Sequence, residues 1–187
     1  MSTNVSLETP AAMPNGDVLY EVVNGEYREL PPMGAFEVSV AGVLFFFLKG
    51  YGRAERVGRA EMEMLFLLEA TPKLELRPDV AFVRYDRWPR GKRVPQGAAW
   101  QIVPNLAVEV ISPSNTWNEI LGKIADYFRT GVQLVWVVSP ATEQVYAYTA
   151  PNANRILNRA DTLDGGDVLP GFKLPLRELF AELDEEP

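Results

Sequence analysis

The stretch Leu106-Ala-Val-Glu-Val-Ile-Ser-Pro-Ser114 decides how this chain is read. Its apolar residues are those of a buried strand, yet a carboxylate, Glu109, sits in the middle. A lone charge in an apolar interior is costly unless a partner or a cation compensates it. The next twenty-odd residues fix the fold class. Thr116-Trp-Asn-Glu119 fits a capping box, with Thr116 as N-cap and Glu119 reaching back. Trp117, Ile120, Leu121, Ile124, Ala125 and Phe128 then recur on one helical face, and Gly131 is placed to end the helix. Val132 to Val138 is nearly all apolar, as in a strand covered on both faces. Strand, helix and strand across 106–138 make a βαβ crossover, so the chain belongs to the α/β class.

A second run, Arg77-Pro-Asp-Val-Ala-Phe-Val83, repeats the oddity, with Asp79 opening its apolar part. Alternate residues of a strand share a face, so Ala107, Glu109 and Ile111 point one way and Leu106, Val108, Val110 and Ser112 the other. If the two runs are neighbours, Asp79 and Glu109 converge near one sheet end. Two close carboxylates repel unless one is protonated or a cation lies between them. Oxygen ligands of this kind suit Mg²⁺ or Mn²⁺. Lys123 and Tyr127, spaced i and i+4, share a helix face bordering the apolar stripe. A lysine there can bury its stem and project its ammonium toward the acids. Each residue also has a plainer reading alone: Asp79 as a turn residue, Glu109 as half of a structural ion pair, Lys123 as a solvated helix lysine.

The rest of the 187-residue chain reads as one domain, 16–183, between a flexible leader, 1–15, and an acidic tail, 184–187. Leu19 to Leu30 is a hairpin turning at Asn24-Gly25, and Pro31-Pro32 ends it. Residues 35–50 are ambiguous by period. Length favours a helix and Val and Phe favour a strand; a helix ending near Gly50 or Gly52 is expected. Strands are expected at about 61–70, 77–84, 101–112, 132–139 and 143–149, and a short helix at about 176–183. Asp164-Gly-Gly-Asp167 is a turn.

Composition removes several chemistries. With no cysteine and no histidine, thiol nucleophiles, zinc–thiolate sites, His-ligated zinc and a Ser-His-Asp triad are excluded. The net charge of −7 argues against broad non-specific nucleic-acid binding. A basic cluster, Arg84, Arg87, Arg90, Lys92 and Arg93, still offers a local DNA-binding groove, or else a solvated loop. No secretory signal is evident, and Ala35 to Leu48 contains Glu37 and is short for a bilayer span. A cytoplasmic protein without membrane contact is expected.

Pro78-Asp79-Val80, Val108-Glu109-Val110 with Ser112-Pro113-Ser114, Lys123-x-x-x-Tyr127-x-x-x-Gly131-Val132 and Trp136 together resemble the putative restriction endonuclease family (Uma-two-type) of the PD-(D/E)XK nuclease superfamily. Tyr20-Glu21 with Asn24-Gly25, Pro31-Pro32-Met33-Gly34 and Leu169-Pro170-Gly171-Phe172 extend the resemblance over roughly residues 19–180. It implies a restriction-endonuclease-like core, a mixed central sheet flanked by helices, with the hairpin as an N-terminal extension. It implies Mg²⁺- or Mn²⁺-dependent hydrolysis of DNA phosphodiesters by Asp79, Glu109 and Lys123. Asp79 and Glu109 would hold the metal, and Tyr127 would support Lys123. The superfamily usually carries its lysine two residues after the second acid; here that position is Ile111, and Lys123 on the next helix takes its place. Where relatives show a Glu-His pair at the first helix, this chain has Phe36-Glu37, which makes Glu37 an additional metal candidate. Glu21 matches a family acid and is a candidate brace for the hairpin. Many duplex-cutting members of the superfamily act as homodimers, and Trp88 and Trp100 are candidates for such an interface or for the core. The alternatives to a nuclease are a degenerate nuclease fold that binds DNA or protein without cutting, and a structural oligomer.

Overall fold

A computed structural model describes residues 18–113 and 115–181. The leader, the acidic tail and Ser114 lie outside the described residues. The hairpin is present as β1 (Tyr20–Val23) and β2 (Glu26–Glu29), with Asn24 and Gly25 both at positive φ as their turn requires. Helix α1 (Ala35–Ala54) comes next, then β3 (Gly58–Met62), β4 (Phe66–Ala70), β5 (Lys73–Leu76), β6 (Val80–Arg84) and β7 (Leu106–Val110). Helix α2 (Trp117–Thr130) leads to β8 (Leu134–Ser139), β9 (Gln144–Ala150), β10 (Ala153–Asn158), β11 (Thr162–Gly165), β12 (Leu169–Pro175) and α3 (Leu176–Ala181).

The central sheet has the order β10-β9-β8-β7-β6-β3 and is mixed: β7 and β8 run parallel, as the crossover through α2 demands, and the other pairs are antiparallel. Its two faces are sorted by residue parity. Val80, Phe82, Leu106, Val108, Val110, Trp136 and Val138 face α1, α3 and the β11–β12 ribbon. Ala81, Val83, Ala107, Val135 and Val137 face α2 and a second sheet of order β2-β1-β5-β4. Glu109 shares the parity of Ala107, so it must face α2.

Three expected boundaries shift. The run 61–70 is two strands in different sheets, because the chain breaks between Met62 and Phe66, with Glu63 at φ 46°. The strand expected at 77–84 is preceded by a separate β5, which joins the hairpin to β4 and makes it part of a second sheet. The strand expected at 101–112 shortens to β7, because Trp100 is drawn aside to bridge Phe66. Trp100 is fully buried, stacked on Phe66 and edge-on to Trp88, so it is core and offers no interface. Strands β10 to β12 lie outside the expected elements.

Helix α1 is longer than its apolar run suggests. By length and composition it is the one helix among the described residues that qualifies to cross a membrane; here Val40, Ala41, Leu44 and Leu48 pack on the sheet. The packing is close where α1 meets β3. A Cβ on Gly52 would lie 2.7 Å from the Gly58 carbonyl oxygen, and one on Gly58 would lie 2.6 Å from that of Val83 and against the Phe82 ring. Gly42, on the open side of α1, has nothing within 4 Å. Gly58→Ala is therefore expected to destabilise by about 1–3 kcal/mol or more, since a backbone carbonyl cannot yield. Gly42→Ala is expected to stabilise by about 0.5–1 kcal/mol through helix propensity. Urea midpoints of the two variants check the opposite signs.

Candidate active site

The acids meet because of strand register. Val80 pairs with Val108 and Ala81 with Ala107 in antiparallel fashion. Carrying that register one residue further sets Asp79 across from Glu109, on the α2 face. Asp79 Oδ2 accepts a hydrogen bond from the Val110 backbone N–H at 2.6 Å, which ties the start of β6 to the end of β7.

Helix α2 supplies the partners. Its start is fixed by the expected capping box: Thr116 accepts from the Glu119 N–H, and Glu119 accepts from that of Thr116. Its end is fixed by Gly131 at φ 102°. Between them Ile120, Ile124 and Tyr127 are buried, which turns Lys123 inward beside them. Lys123 Nζ lies 3.1 Å from Glu109 Oε2 and 2.9 Å from Glu21 Oε1. Tyr127 donates its hydroxyl to Glu109 Oε1 at 2.6 Å. Both oxygens of Glu109 are thus engaged, one by an ammonium and one by a phenol. The charge that the sequence places inside an apolar strand is therefore compensated, and in this structure the compensating cation is Lys123.

Glu21 reaches the cluster from the second sheet. It is buried in β1, and its Oε1 also accepts from the Arg77 backbone N–H at 2.9 Å. Arg77 in turn donates to the Glu63 carbonyl, so the segment leading to Asp79 is held at both ends. The sequence suggests no more than a bracing role for Glu21. Its signal is nevertheless the same as that of Glu109: an acid inside the apolar run Tyr20-Glu-Val-Val23.

The electrostatics reflect burial. Burial and the neighbouring Glu109 push the Asp79 carboxyl up to about 7. Burial also pushes Glu109 upward against the pull of Lys123. For Lys123, burial opposes the charge, but Glu109 and Glu21 outweigh it and hold the ammonium above the ordinary lysine range. Burial, reinforced by Glu109, keeps the Tyr127 phenol protonated well beyond its usual range.

Two groups of candidates stand elsewhere. Glu37 occupies the first turn of α1, folded over Gly34, and α1 packs on the opposite face of the sheet from Glu109. The basic cluster begins four residues along β6 from Val80, about 13 Å at the usual strand rise. There Arg84 donates to the Val168 carbonyl and pairs with Asp86. Arg87 donates to the carbonyls of Val103, Pro104 and Gly131, fastening the entry to β7 and the end of α2. Arg90, Lys92 and Arg93 are exposed on the loop beyond, with the Lys92 ammonium over the Trp88 ring.

Known proteins share this architecture. Residues 7–177 match the model of the family described as Uma2: Putative restriction endonuclease. No curated protein matches the chain. Among solved structures, a putative nuclease belonging to DUF820 from Anabaena variabilis superposes with a TM-score of 0.79 at 17% identity, over 91% of this chain and 94% of that one. The shared fold is the mixed sheet with its flanking helices.

The raised Asp79 value has a consequence for stability. Between roughly pH 4 and 7 the folded protein keeps a proton that the unfolded chain, with an ordinary value of 3.8, has released. The contribution of Asp79 therefore declines as pH rises through that window. Asp79→Asn keeps an oxygen acceptor for Val110 and removes the titration. In chelator, its urea midpoint is expected to match that of the unaltered protein near the bottom of the window and exceed it at about pH 8. Parallel midpoint-against-pH curves for the two proteins would refute the assignment.

Proposed function

The chain belongs to the Uma2 family of putative restriction endonucleases, and on that premise we propose that it is a metal-dependent nuclease that hydrolyses DNA phosphodiester bonds at the Asp79–Glu109–Lys123 cluster. One observation carries the proposal: two carboxylates, set across from each other by the register of adjacent strands, lie at one end of the central sheet beside a single recessed ammonium that pairs with Glu109.

The donor set fits a hard divalent cation. Among the described residues no group of three carboxylates is arranged to hold a metal ion by itself. Mg²⁺, however, is commonly held by one or two carboxylates, with waters and substrate phosphate completing its shell. Asp79 and Glu109 would be those two. When bound, the ion supplies Lewis-acid polarisation of the phosphate and a more acidic water.

The chain's own groups then have distinct tasks. Lys123 acts as a charge and not as a base, because its two carboxylates keep it protonated. Its ammonium stabilises negative charge growing on the phosphoryl oxygens. Tyr127 holds the second oxygen of Glu109 and thereby orients the carboxylate. Glu21 also holds the Lys123 ammonium and is a positioning residue. Arg90, Lys92 and Arg93 are exposed on the loop beyond β6; under this proposal they meet the DNA backbone away from the scissile phosphate.

The test is cleavage of plasmid and oligonucleotide DNA with Mg²⁺ or Mn²⁺. Glu109→Gln and Lys123→Met are each expected to lower the rate by about a hundredfold or more, the usual effect of removing one preorganised electrostatic contact. Chelation is expected to abolish it. Cleavage that survives either substitution overturns the assigned site. Metal binding with no cleavage of any DNA favours a degenerate fold that binds without cutting.

A further inference from the structure

Helix α2 contains a residue that its own packing does not explain. Gly122 lies in the helix interior, where glycine costs about 0.5–1 kcal/mol relative to alanine. Its φ is not in the left-handed region, and a Cβ there would have nothing within 4 Å. Neither backbone conformation nor close packing calls for glycine. What the missing side chain leaves is space: Gly122 lines a cleft of about 510 Å³ between the β1–β2 hairpin and α2.

The cleft leads to the candidate site. Glu21 and Lys123 line it, and the side chain of Lys123 is 20% exposed against 5% for Glu21 and 6% for Glu109. The reacting groups are therefore recessed. Val23, Leu30 and Pro31 give the cleft an apolar wall. At the rim stand Arg28, exposed and within the electrostatic reach of Glu119, and Asn118, which makes no hydrogen bond among the described residues. Of the rim carboxylates, Glu119 caps α2 and Asp126 pairs with Arg129, whereas Glu29 is exposed.

A volume of this size takes one small-molecule-sized unit and not a duplex. An apolar wall suits the face of a base, an amide suits its edge, and an exposed guanidinium suits the next phosphate. A stacked base pair cannot enter; an unpaired nucleotide can, and its unstacking costs least when the strand is already single. We propose that the cleft is a nucleoside subsite, holding one unstacked base and sugar of a single DNA strand beside the phosphate at Lys123. The subsite rests on the nuclease reading and adds that the preferred substrate is single-stranded.

The experiment is equilibrium binding, by fluorescence anisotropy with Ca²⁺ present, of a short labelled DNA strand and of the same strand annealed to its complement. Cleavage is read on the same samples after Mn²⁺ is added. The strand is expected to bind at least about tenfold more tightly than the duplex, the scale of one base seated on a wall. Gly122→Leu, which helix propensity favours, is expected to keep the thermal midpoint and lose about tenfold in strand affinity as the cleft fills. Gly42→Leu on α1 serves as the distant control and is expected to bind as the unaltered protein does. Equal affinity for strand and duplex, no binding of either, or an unaffected Gly122→Leu overturns the subsite. Strand-selective binding without cleavage retires the nuclease reading and keeps the subsite; cleavage without strand selectivity does the reverse.

Discussion

A single ammonium, Lys123 Nζ, held between the buried carboxylates of Glu109 and Glu21, is the contact on which the arrangement depends. The three residues come from the central sheet, the crossover helix and the second sheet. The charge is therefore also a joint between layers. Removing one partner of a buried ion pair typically costs about 3–5 kcal/mol, because the charge left behind has neither water nor partner. Here it would leave two acids facing each other. The hairpin is consequently held to α2 by more than its apolar contacts, and any change at the candidate site is felt by the packing of the second sheet.

The joint works only because several local features agree. Parity on β7 turns Glu109 to the α2 face, and a slip of one residue would turn it into the α1 core. The capping box and Gly131 fix where α2 starts and stops, and hence which residue faces the sheet. The spacing of Lys123 and Tyr127 then delivers one donor to each oxygen of Glu109. Asp79 enters from β6 through a backbone hydrogen bond to Val110. Each of these controls is made by backbone geometry, which is why the polar cluster can be recessed without being loose.

The same division between local and long-range control decides how much is legible in the sequence. The crossover is legible because α2 carries both of its caps and β7 and β8 carry near-continuous apolar runs. Asp79, Glu109 and Lys123 can be placed together because strand parity and helix spacing are local rules. The break after Met62 is not legible, because Glu63 keeps the alternation of Glu61, Met62 and Met64 and only tertiary pairing sends the two halves to different sheets. Trp100 is ambiguous for a similar reason: its burial depends on Phe66 and Trp88, which come from distant segments. Strands β10 to β12 lack long apolar runs, and exposed edge positions such as Asn154 and Arg155 conceal their alternation. Glu21 is easily undervalued because its meaning depends on a lysine about a hundred residues away, a separation that no periodicity reports.

The charges at the site also explain why it is unlike an ordinary structural ion pair. Three carboxylates stand near one ammonium, which pairs with Glu109 and Glu21 and not with Asp79. A cluster selected only for stability would be neutral or apolar, since well-packed apolar residues commonly equal or exceed a buried ion pair. Instead Asp79 is left without a cation of its own, with its carboxyl driven toward neutrality by burial and by Glu109. The imbalance is negative, it is concentrated at one end of the sheet, and it adjoins the cleft that contains Lys123. A phosphate would be repelled by such a site on its own, whereas a hard divalent cation would be attracted and would reverse the sign that the phosphate meets. Under the proposed function the excess acid is therefore what makes binding of the anionic substrate conditional on the metal, and Lys123 offsets the mutual repulsion of the carboxylates.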